Sequence, residues 1–584
     1  MAQTKSPPLE TIPPHLRVYL SKQDYGLYTP IDHAAWRFIL RIGRAFYATH
    51  AHPKYMEGLH ETGISTERIP KIAEMDAALR RFGWRAVPVI GFIPPAAFLE
   101  FQSHGLLPIA CDMRKAEHLE YTPAPDIVHE AAGHAPIIAD PAFAAYLRSY
   151  GEVSRRAVFS KENMGVYRAV RLLSDTKERP DATPEEIASA QRELDARLSE
   201  VTYDSEVDWV TRLGWWTTEY GLVGDLDNFL IYGAGLLSSI GEGYKCFSAA
   251  VRKLPLTIDC IHQSFNITEP QPQLFVTPTF EHLTNVLEEL ASRMAFRIGG
   301  VHGLETARRG ETTVTVELDS GLQMSGTLSA FRLDGTGAPA FLRFSGPVQL
   351  ARGDVQIPGQ DPGYHADGYG SPIGPLRGEH ASAADLSDAE LETRGFGADR
   401  IGRFEFASGI VLEGRLVAKV RDGGRNQILT FAECTVRAGE EILFDPAWGP
   451  FDLACGGSVA SVFGGAADRH AYMVALGEDH YEPGTHKTNL TATNEGLNRL
   501  YARLREIREG GLAPQRPEEL AAIARELEAS YPNDWLLRWE MLEIDHDLGF
   551  HAAWAPMLRG RLDAIRTDQP AAAESIERGL ALLA

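Results

Sequence analysis

The sequence predicts a multidomain chain: a mainly α N-terminal half, then an all-β duplicated module, then a C-terminal α-helical segment. Three observations predict it. Apolar residues recur at helical period as far as Arg297. From Thr312 the pattern becomes the alternation of strands, and its turns recur at a fixed offset. From Asn489 to Ala584 the helical period returns. The implied divisions are 1-14 for a tail, 15-299 for the first domain, 300-487 for the β-rich module and 488-584 for the helical end. A length of 584 residues and 44% hydrophobic content suit several cored domains.

In chain order, Asp32 is placed to cap a helix through His33 and Leu40. Thr183-Pro184-Glu185-Glu186 reads as another capped start, with proline at the first helical position, and an amphipathic run follows to Leu198. Thr312 to Leu318 alternates as a strand, and Asp319-Ser320-Gly321 turns it. Ser320-Gly321, Gly326 and Asp334-Gly335 return 88 positions later as Ser408-Gly409, Gly414 and Asp422-Gly423. Matched turns at one spacing favour a duplicated barrel or sandwich unit. The stretch from Asp354 to Gly397, rich in Gly, Pro and Asp, reads as a loop-like linker between copies. His480, Glu482 and His486 flank Gly484 and read as a solvated connection rather than a metal site. Residues 521–535 resemble the junction of two helical hairpins, as in tetratricopeptide repeats, which makes the C-terminal half a candidate for docking or homo-oligomer contacts.

A net charge of −22 argues against nucleic acid and anionic membrane surfaces as partners. Met1 to Leu20 lacks a basic start followed by an apolar run, and no stretch is long and apolar enough to span a bilayer. The five cysteines are scattered, without ligand spacing, and read as buried thiols in a reducing cytoplasm.

The chemistry is concentrated in Pro125-Asp126-Ile127-Val128-His129-Glu130-Ala131-Ala132-Gly133-His134-Ala135-Pro136, with a carboxylate, Glu219, further on. Two neutral imidazoles and one carboxylate hold one face of an oxygen-activating Fe(II) ion and leave the other open. The histidines are five apart, not the four that stack on one helical face. In a regular helix this turns the second side chain by about 140° and lifts it by about 7.5 Å. The helix therefore has to bend or end between them, and Gly133 and Pro136 are the residues to do it. Taken bare, the motif is weak, and two ordinary histidines near a helix end is the commoner reading.

The flanks are more specific. Tyr121-Thr122-Pro123-Ala124-Pro125-Asp126, Thr218-Glu219-Tyr220-Gly221-Leu222, the run from Tyr232 to Glu242 and Ile267-Thr268-Glu269-Pro270-Gln271-Pro272 resemble, in order, the signatures of the pterin-dependent aromatic amino acid hydroxylases. The resemblance covers roughly residues 15 to 298. It implies a fold of that family for the first domain, with Fe(2+) and tetrahydrobiopterin or another tetrahydropterin as cofactors. It implies that His129, His134 and Glu219 bind the iron, and that Arg114 holds the substrate carboxylate, as a planar guanidinium can. Without the resemblance, Arg114 beside Lys115 reads as a solvated charge.

By the same resemblance, Tyr121, Thr122, Trp215, Gly235 and Ser238 line the substrate pocket. Phe98 stacks on the pterin ring, the backbone at Phe92 and Ile93 bonds its edge, and Glu130 reaches the pterin or a water near the iron. Read on their own, Trp215 and Trp216 are core residues, and adjacent helical positions do not face the same way. The implied activity is hydroxylation of a free aromatic amino acid by O2. Phenylalanine is the first candidate substrate, because Ile267 is aliphatic where the tyrosine-specific branch is acidic. Tryptophan, or the meta position of phenylalanine, is the alternative. A zinc hydrolase with the same three ligands and Glu130 as base is the reading from another class.

Three departures stand out. Pro95 replaces a common serine. Gly214 replaces a bulky aromatic of the animal relatives, which is expected to loosen that wall. Glu219 follows His134 by 85 positions, tens more than in relatives, which implies a helical insertion near 155-205.

Overall fold

The computed structural model describes residues 12–91, 93–116, 119–120, 125–179, 182–266, 270–397, 399–481, 492–510 and 516–584. The N-terminal half is organised around the helix Pro30–His50. Its cap is Thr29, whose hydroxyl accepts from the Asp32 backbone N–H while the Asp32 carboxylate accepts from that of Thr29. Asp32 thus closes a capping box from the third helical position, and the helix starts earlier than expected. His33 to Leu40 are eight consecutive buried residues. A helix buried on every side must be covered on every side.

Part of that cover comes from the far end of the chain. The helices Ala492–Gly510, Arg516–Ser530, Leu536–Leu548, Ala555–Asp568 and Pro570–Ala581 form the C-terminal segment. The Phe38 ring meets Trp535 and Trp539 edge-on, with centroids 5.0 and 4.7 Å away. Arg37 donates to the Glu540 carboxylate at 2.5 Å, and both side chains are essentially inaccessible. One apolar cluster runs from Trp36 and Trp216 to Leu500, Leu537 and Trp539. The C-terminal helices are therefore a layer of the N-terminal core.

Two small sheets complete the N-terminal half. Arg85–Val89 pairs in parallel with Leu106–Ala110. The second sheet runs in the order Phe229–Ile231, Leu222–Gly224, Gln273–Thr277, Arg252–Pro255. Lys161–Glu178 and Pro184–Glu200 form a helical pair with its own apolar cluster of Ala169, Leu173, Ala190 and Leu194. Thr183 caps the second helix in a box with Glu186, as its sequence predicts.

The next region is a curled antiparallel half-barrel with a duplicated strand pattern, preceded by a helix, Gly300–Gly310, that the sequence reading placed outside the helical half. The first hairpin, Leu322–Leu333 with Pro339–Arg352, corresponds to the second, Ile410–Asp422 with Arg425–Ala438. The first breaks register at Ser325/Thr327, Leu328/Ala330 and Arg332/Leu333. The second breaks at Glu413/Arg415, Leu416/Ala418 and Val420/Arg421, each 88 positions on. Val314 pairs with Gly326 as Gly402 pairs with Gly414. Bulges fix strand bend and register, so three in the same places make the repeat structural.

The linker is not loop-like throughout. Gly368–Pro372 pairs with Pro339–Arg352, and the Tyr369 hydroxyl donates to the Asp452 carbonyl at 2.7 Å. Val459–Gly464 returns to pair with Thr313–Leu318. Gly303 packs against Val462, and a side chain there would meet it at 2.7 Å. Glu206 accepts from the backbone of Val158 and Ala295 at 2.9 and 2.6 Å, tying the helices to this junction. His480 is exposed, while Glu482 and His486 lie outside the described residues. Among the described residues, no helix is long and apolar enough to cross a membrane. Four of the five cysteines are buried, Cys111 is half-buried, and none is disulfide-bonded.

Candidate active site

The five-residue spacing of the histidines is solved by widening the helix, not by ending it. Val128–His134 is a π-helix, and Ala135 N–H bonds back five residues to Glu130. A wider turn lowers the angle between positions five apart, and π turns concentrate at functional sites. Glu219 is presented in the same way, at the end of the π-helix Trp215–Glu219, where Tyr220 N–H bonds back to Trp215. Gly133 is needed for close approach, since a Cβ there would stand 2.7 Å from the Ala234 carbonyl. That contact seats the helix Ala234–Ser238 against the histidines.

Three donors converge. His129 Nε2 and His134 Nε2 are 3.2 Å apart, with their rings perpendicular. The Glu219 carboxylate lies 3.3 Å from the first and 3.2 Å from the second. Such spacings suit donors sharing one ion at about 2.0–2.2 Å from each. The Ser238 hydroxyl donates to the Ala234 carbonyl at 2.7 Å, so its oxygen accepts from His129 Nδ1 at 2.9 Å. That hydrogen bond puts the His129 proton on Nδ1 and turns the Nε2 lone pair toward His134 and Glu219. The donor set therefore fits a divalent first-row metal.

Two carboxyls flank this point and differ in charge. Burial opposes ionisation of Glu219, but the two imidazoles outweigh it and hold the carboxyl well below the usual range. Glu130 is 4% exposed, and its Oε2 has no hydrogen-bond partner among the described residues. Burial pushes it up to about 8, with the charges of Glu219 and Asp126 adding and His134 opposing. The ligand atoms of His129, Glu130 and His134 lie within 4.8 Å of one another. Two carboxyls pushed in opposite directions at a single site is the arrangement that separates acid and base roles.

Arg114 is not solvated. Its guanidinium binds Asp126 through Nε and Nη2, both at 2.8 Å, and donates from Nη1 to the Ser238 carbonyl at 2.9 Å. Asp126 also accepts from the His129 backbone N–H at 3.0 Å. Burial opposes the Asp126 charge, and Arg114 more than offsets it. The pair thus connects the start of the π-helix to the arginine.

A family model described as biopterin-dependent aromatic amino acid hydroxylase matches residues 24–162 and 186–300. The N-terminal half of this chain matches that family. The break in the match falls within the helical pair described above. Among similar proteins are three named phenylalanine-4-hydroxylase. That of Ralstonia nicotianae is 27% identical over 294 residues, 48% of this chain and 80% of that protein. That of Pseudomonas aeruginosa is 27% identical over 277 residues, 46% of this chain and 88% of that protein. That of Vibrio cholerae is 27% identical over 255 residues, 43% of this chain and 73% of that protein.

Elsewhere in the N-terminal half, Phe98 lies 6.2 Å from the His134 ring, centroid to centroid. Ile93 is buried in the same small cluster, where Phe98 packs half-buried. Gly91 N–H donates to Asp112 at 3.0 Å and fixes the turn before them. Phe92, Tyr121, Thr122 and Ile267 lie outside the described residues. Trp216 is core and donates from Nε1 to the Gln263 carbonyl at 3.0 Å. Trp215 stacks on Tyr220 and on Phe265, at 4.6 and 4.2 Å. Gly235 lets the Ala234–Ser238 helix approach, since a Cβ there would meet the Glu219 carbonyl at 3.0 Å. The wall at Gly214 is not loosened. The Tyr150 hydroxyl, which donates to Val210 O at 2.8 Å, occupies the space a side chain there would need.

Sequence reasoning missed three contributors. Asp126 carried a signal, an aspartate three residues before a histidine that opens a helix. Phe265, two positions before Ile267, carried only its aromatic character. Tyr150 carried none.

Proposed function

We propose that the chain is a monooxygenase that hydroxylates the ring of a free aromatic amino acid, phenylalanine to tyrosine in the first instance, with Fe(II), O2 and a tetrahydropterin. The observation that carries this is the convergence of His129, His134 and Glu219, with Phe98 near His134 and the Arg114–Asp126 pair bonded to the His129 backbone. The names of the similar proteins support phenylalanine. Boundaries near residues 15, 300 and 488 remain the proposed divisions, with the C-terminal helices as cover for the first domain. The free cysteines support a reducing compartment, such as the cytoplasm.

His129, His134 and Glu219 would hold the iron. Bound iron and reduced pterin together supply activation of O2. The residues do the remainder. Ser238, bonded to His129 Nδ1, orients the ring so that Nε2 faces His134 and Glu219. Glu130, whose carboxyl burial pushes up to about 8, is disfavoured as a second anion beside Glu219. Arg114 would fix the amino acid carboxylate and so aim its ring, an orientation effect. Phe98 offers a flat face to the pterin ring. Trp215 and Phe265 are stacked as an apolar wall that suits an aromatic side chain.

The test is product analysis. The protein is loaded anaerobically with Fe(II) and given tetrahydropterin, O2 and each aromatic amino acid in turn. Tyrosine from phenylalanine supports the proposal, and another singly oxygenated product moves the ring position or substrate. Hydrolytic activity without O2 or reductant would overturn it in favour of a zinc hydrolase.

A further inference from the structure

We infer that the C-terminal helix Pro570–Ala581 is a working part of the substrate side of the site, with Arg578 as a positioning residue for Glu120, in the segment between Arg114 and Asp126. The inference deepens the proposed function and rests on the reading that Arg114 faces the substrate. Glu120 stands midway in that segment, six residues after Arg114 and six before Asp126. The ends of the segment are tied together by the Arg114–Asp126 ion pair. Its midpoint is held from two sides. The Glu120 carbonyl accepts from the Ser239 hydroxyl at 2.8 Å. The Glu120 carboxylate accepts from the Ser575 hydroxyl at 2.5 Å and from the Arg578 guanidinium, more than 450 residues away in sequence.

This is a built contact. Arg578 and Glu120 side chains are 15% and 23% exposed. The guanidinium lies over the Tyr244 ring at 4.7 Å, that ring stacks on Phe46 at 3.9 Å, and Arg578 Nη2 also donates to Glu574 at 2.8 Å. Partly buried, charge-assisted hydrogen bonds on a pre-ordered guanidinium hold geometry better than an exposed pair. The helix is itself fixed, because Trp539 Nε1 donates to the Gly579 carbonyl at 2.8 Å and a Cβ on Gly579 would strike Trp539 at 2.7 Å.

The contact leads inward. Ser239 follows Ser238, whose hydroxyl orients His129 and whose carbonyl accepts from Arg114. A chain of direct contacts thus runs from Arg578 through Glu120, Ser239 and Ser238 to a metal-ligand histidine and to the arginine on the substrate side. The family match ends at residue 300. The helix that grips Glu120 therefore belongs to the extension, and the hydroxylase site of this chain is completed by its C-terminal segment.

Full-length Arg578→Ala, Arg578→Lys and Ser575→Ala are compared with the parent by amide hydrogen exchange and by kinetics. Loss of the charge-assisted contact is expected to speed exchange in the 114–126 peptide of Arg578→Ala about tenfold, leaving Val128–His134 unchanged. The KM for the aromatic amino acid is expected to rise about tenfold, with kcat within about twofold, and Arg578→Lys to recover part of both. Exchange in 114–126 equal to the parent's overturns the inference. So does faster exchange spread over the whole domain, or an unchanged KM. A parent protein that hydroxylates no amino acid defeats the proposed function, while the exchange data still decide whether the helix holds the 114–126 segment.

Discussion

Arg37→Met is expected to destabilise the N-terminal half by about 3–5 kcal/mol, the cost of leaving one member of a buried ion pair behind. The magnitude follows from the surroundings. Arg37 and Glu540 side chains are 1% and 0% exposed. Arg37 also donates to the Glu67 carbonyl at 3.2 Å, a bond methionine cannot make. Arg508 is a second cation beside Glu540, at 3.8 Å, too far to replace a direct hydrogen bond. Methionine fills most of the vacated volume, so the cavity contribution is small. The double variant Arg37→Met/Glu540→Leu is expected to return to within about 1 kcal/mol of the parent or above it, because a hydrophobic replacement of both partners removes the stranded charge. The assay is urea denaturation followed by tryptophan fluorescence, reading the transition midpoint rather than a single two-state free energy. Iron occupancy is measured beside it. Tyr47, on the same helix as Arg37, donates to the Leu236 carbonyl at 2.6 Å behind the Ala234–Ser238 helix, so loosening Pro30–His50 is expected to lower occupancy. A midpoint unmoved in Arg37→Met, or a double variant as unstable as the single, would refute the reasoning that the C-terminal helices share this core.

Three further outcomes are expected. Ser238→Ala removes the acceptor that orients His129, and should weaken Fe(II) binding about 10–100-fold in an anaerobic titration; unchanged affinity would contradict the assigned role. Gly133→Val places a branched side chain against the Ala234 carbonyl, already 2.7 Å from a Cβ, and should lose iron while circular dichroism keeps most of the helix signal; full iron content in this variant would show that the close approach is unnecessary. Burial pushes Glu242 up to about 7, although the Tyr220 hydroxyl donates to it at 2.6 Å. The folded protein then keeps a proton that the unfolded chain has lost, so this contribution is full below about pH 4.5 and disappears as pH rises through 7. Its size is on the order of 3 kcal/mol. Glu242→Gln, which can still accept from Tyr220, should flatten the fall in thermal midpoint between pH 5 and 8, and an equally steep fall in the variant would count against it.

Much of the site was legible because its chemistry is local in sequence. His129, Glu130 and His134 are adjacent on one turn, and their spacing already demanded an irregular helix. The form of the irregularity was not legible. A π turn differs from a bend by where one N–H bonds, Ala135 to Glu130, and no residue type dictates that. Ser238 was placed in the pocket from its motif. Its hold on His129 depends on the Ala234–Ser238 helix lying within 2.7 Å of a would-be Cβ at Gly133, which is tertiary information. The repeat was legible from Gly326 and Gly414 because bulges and turns select glycine. The strand Gly368–Pro372 was hidden, since its glycine and proline suggest a loop while its pairing comes from the partner strand. The C-terminal helices read correctly as helices, but a buried face gives no address. Nothing in Trp539 or Glu540 says that the surface they need is Phe38 and Arg37.

Which carboxylate completes the site is the central claim, and parallel anaerobic Fe(II) loading of the parent, Glu219→Ala and Glu130→Gln tests it most directly, followed by phenylalanine, tetrahydropterin and isotopically labelled O2. The parent and Glu130→Gln are expected to bind iron, Glu219→Ala is not, and the parent's tyrosine is expected to carry label from O2. Iron retained by Glu219→Ala and lost from Glu130→Gln would reverse the ligand assignment, and an iron-loaded parent that makes no labelled product would contradict the account.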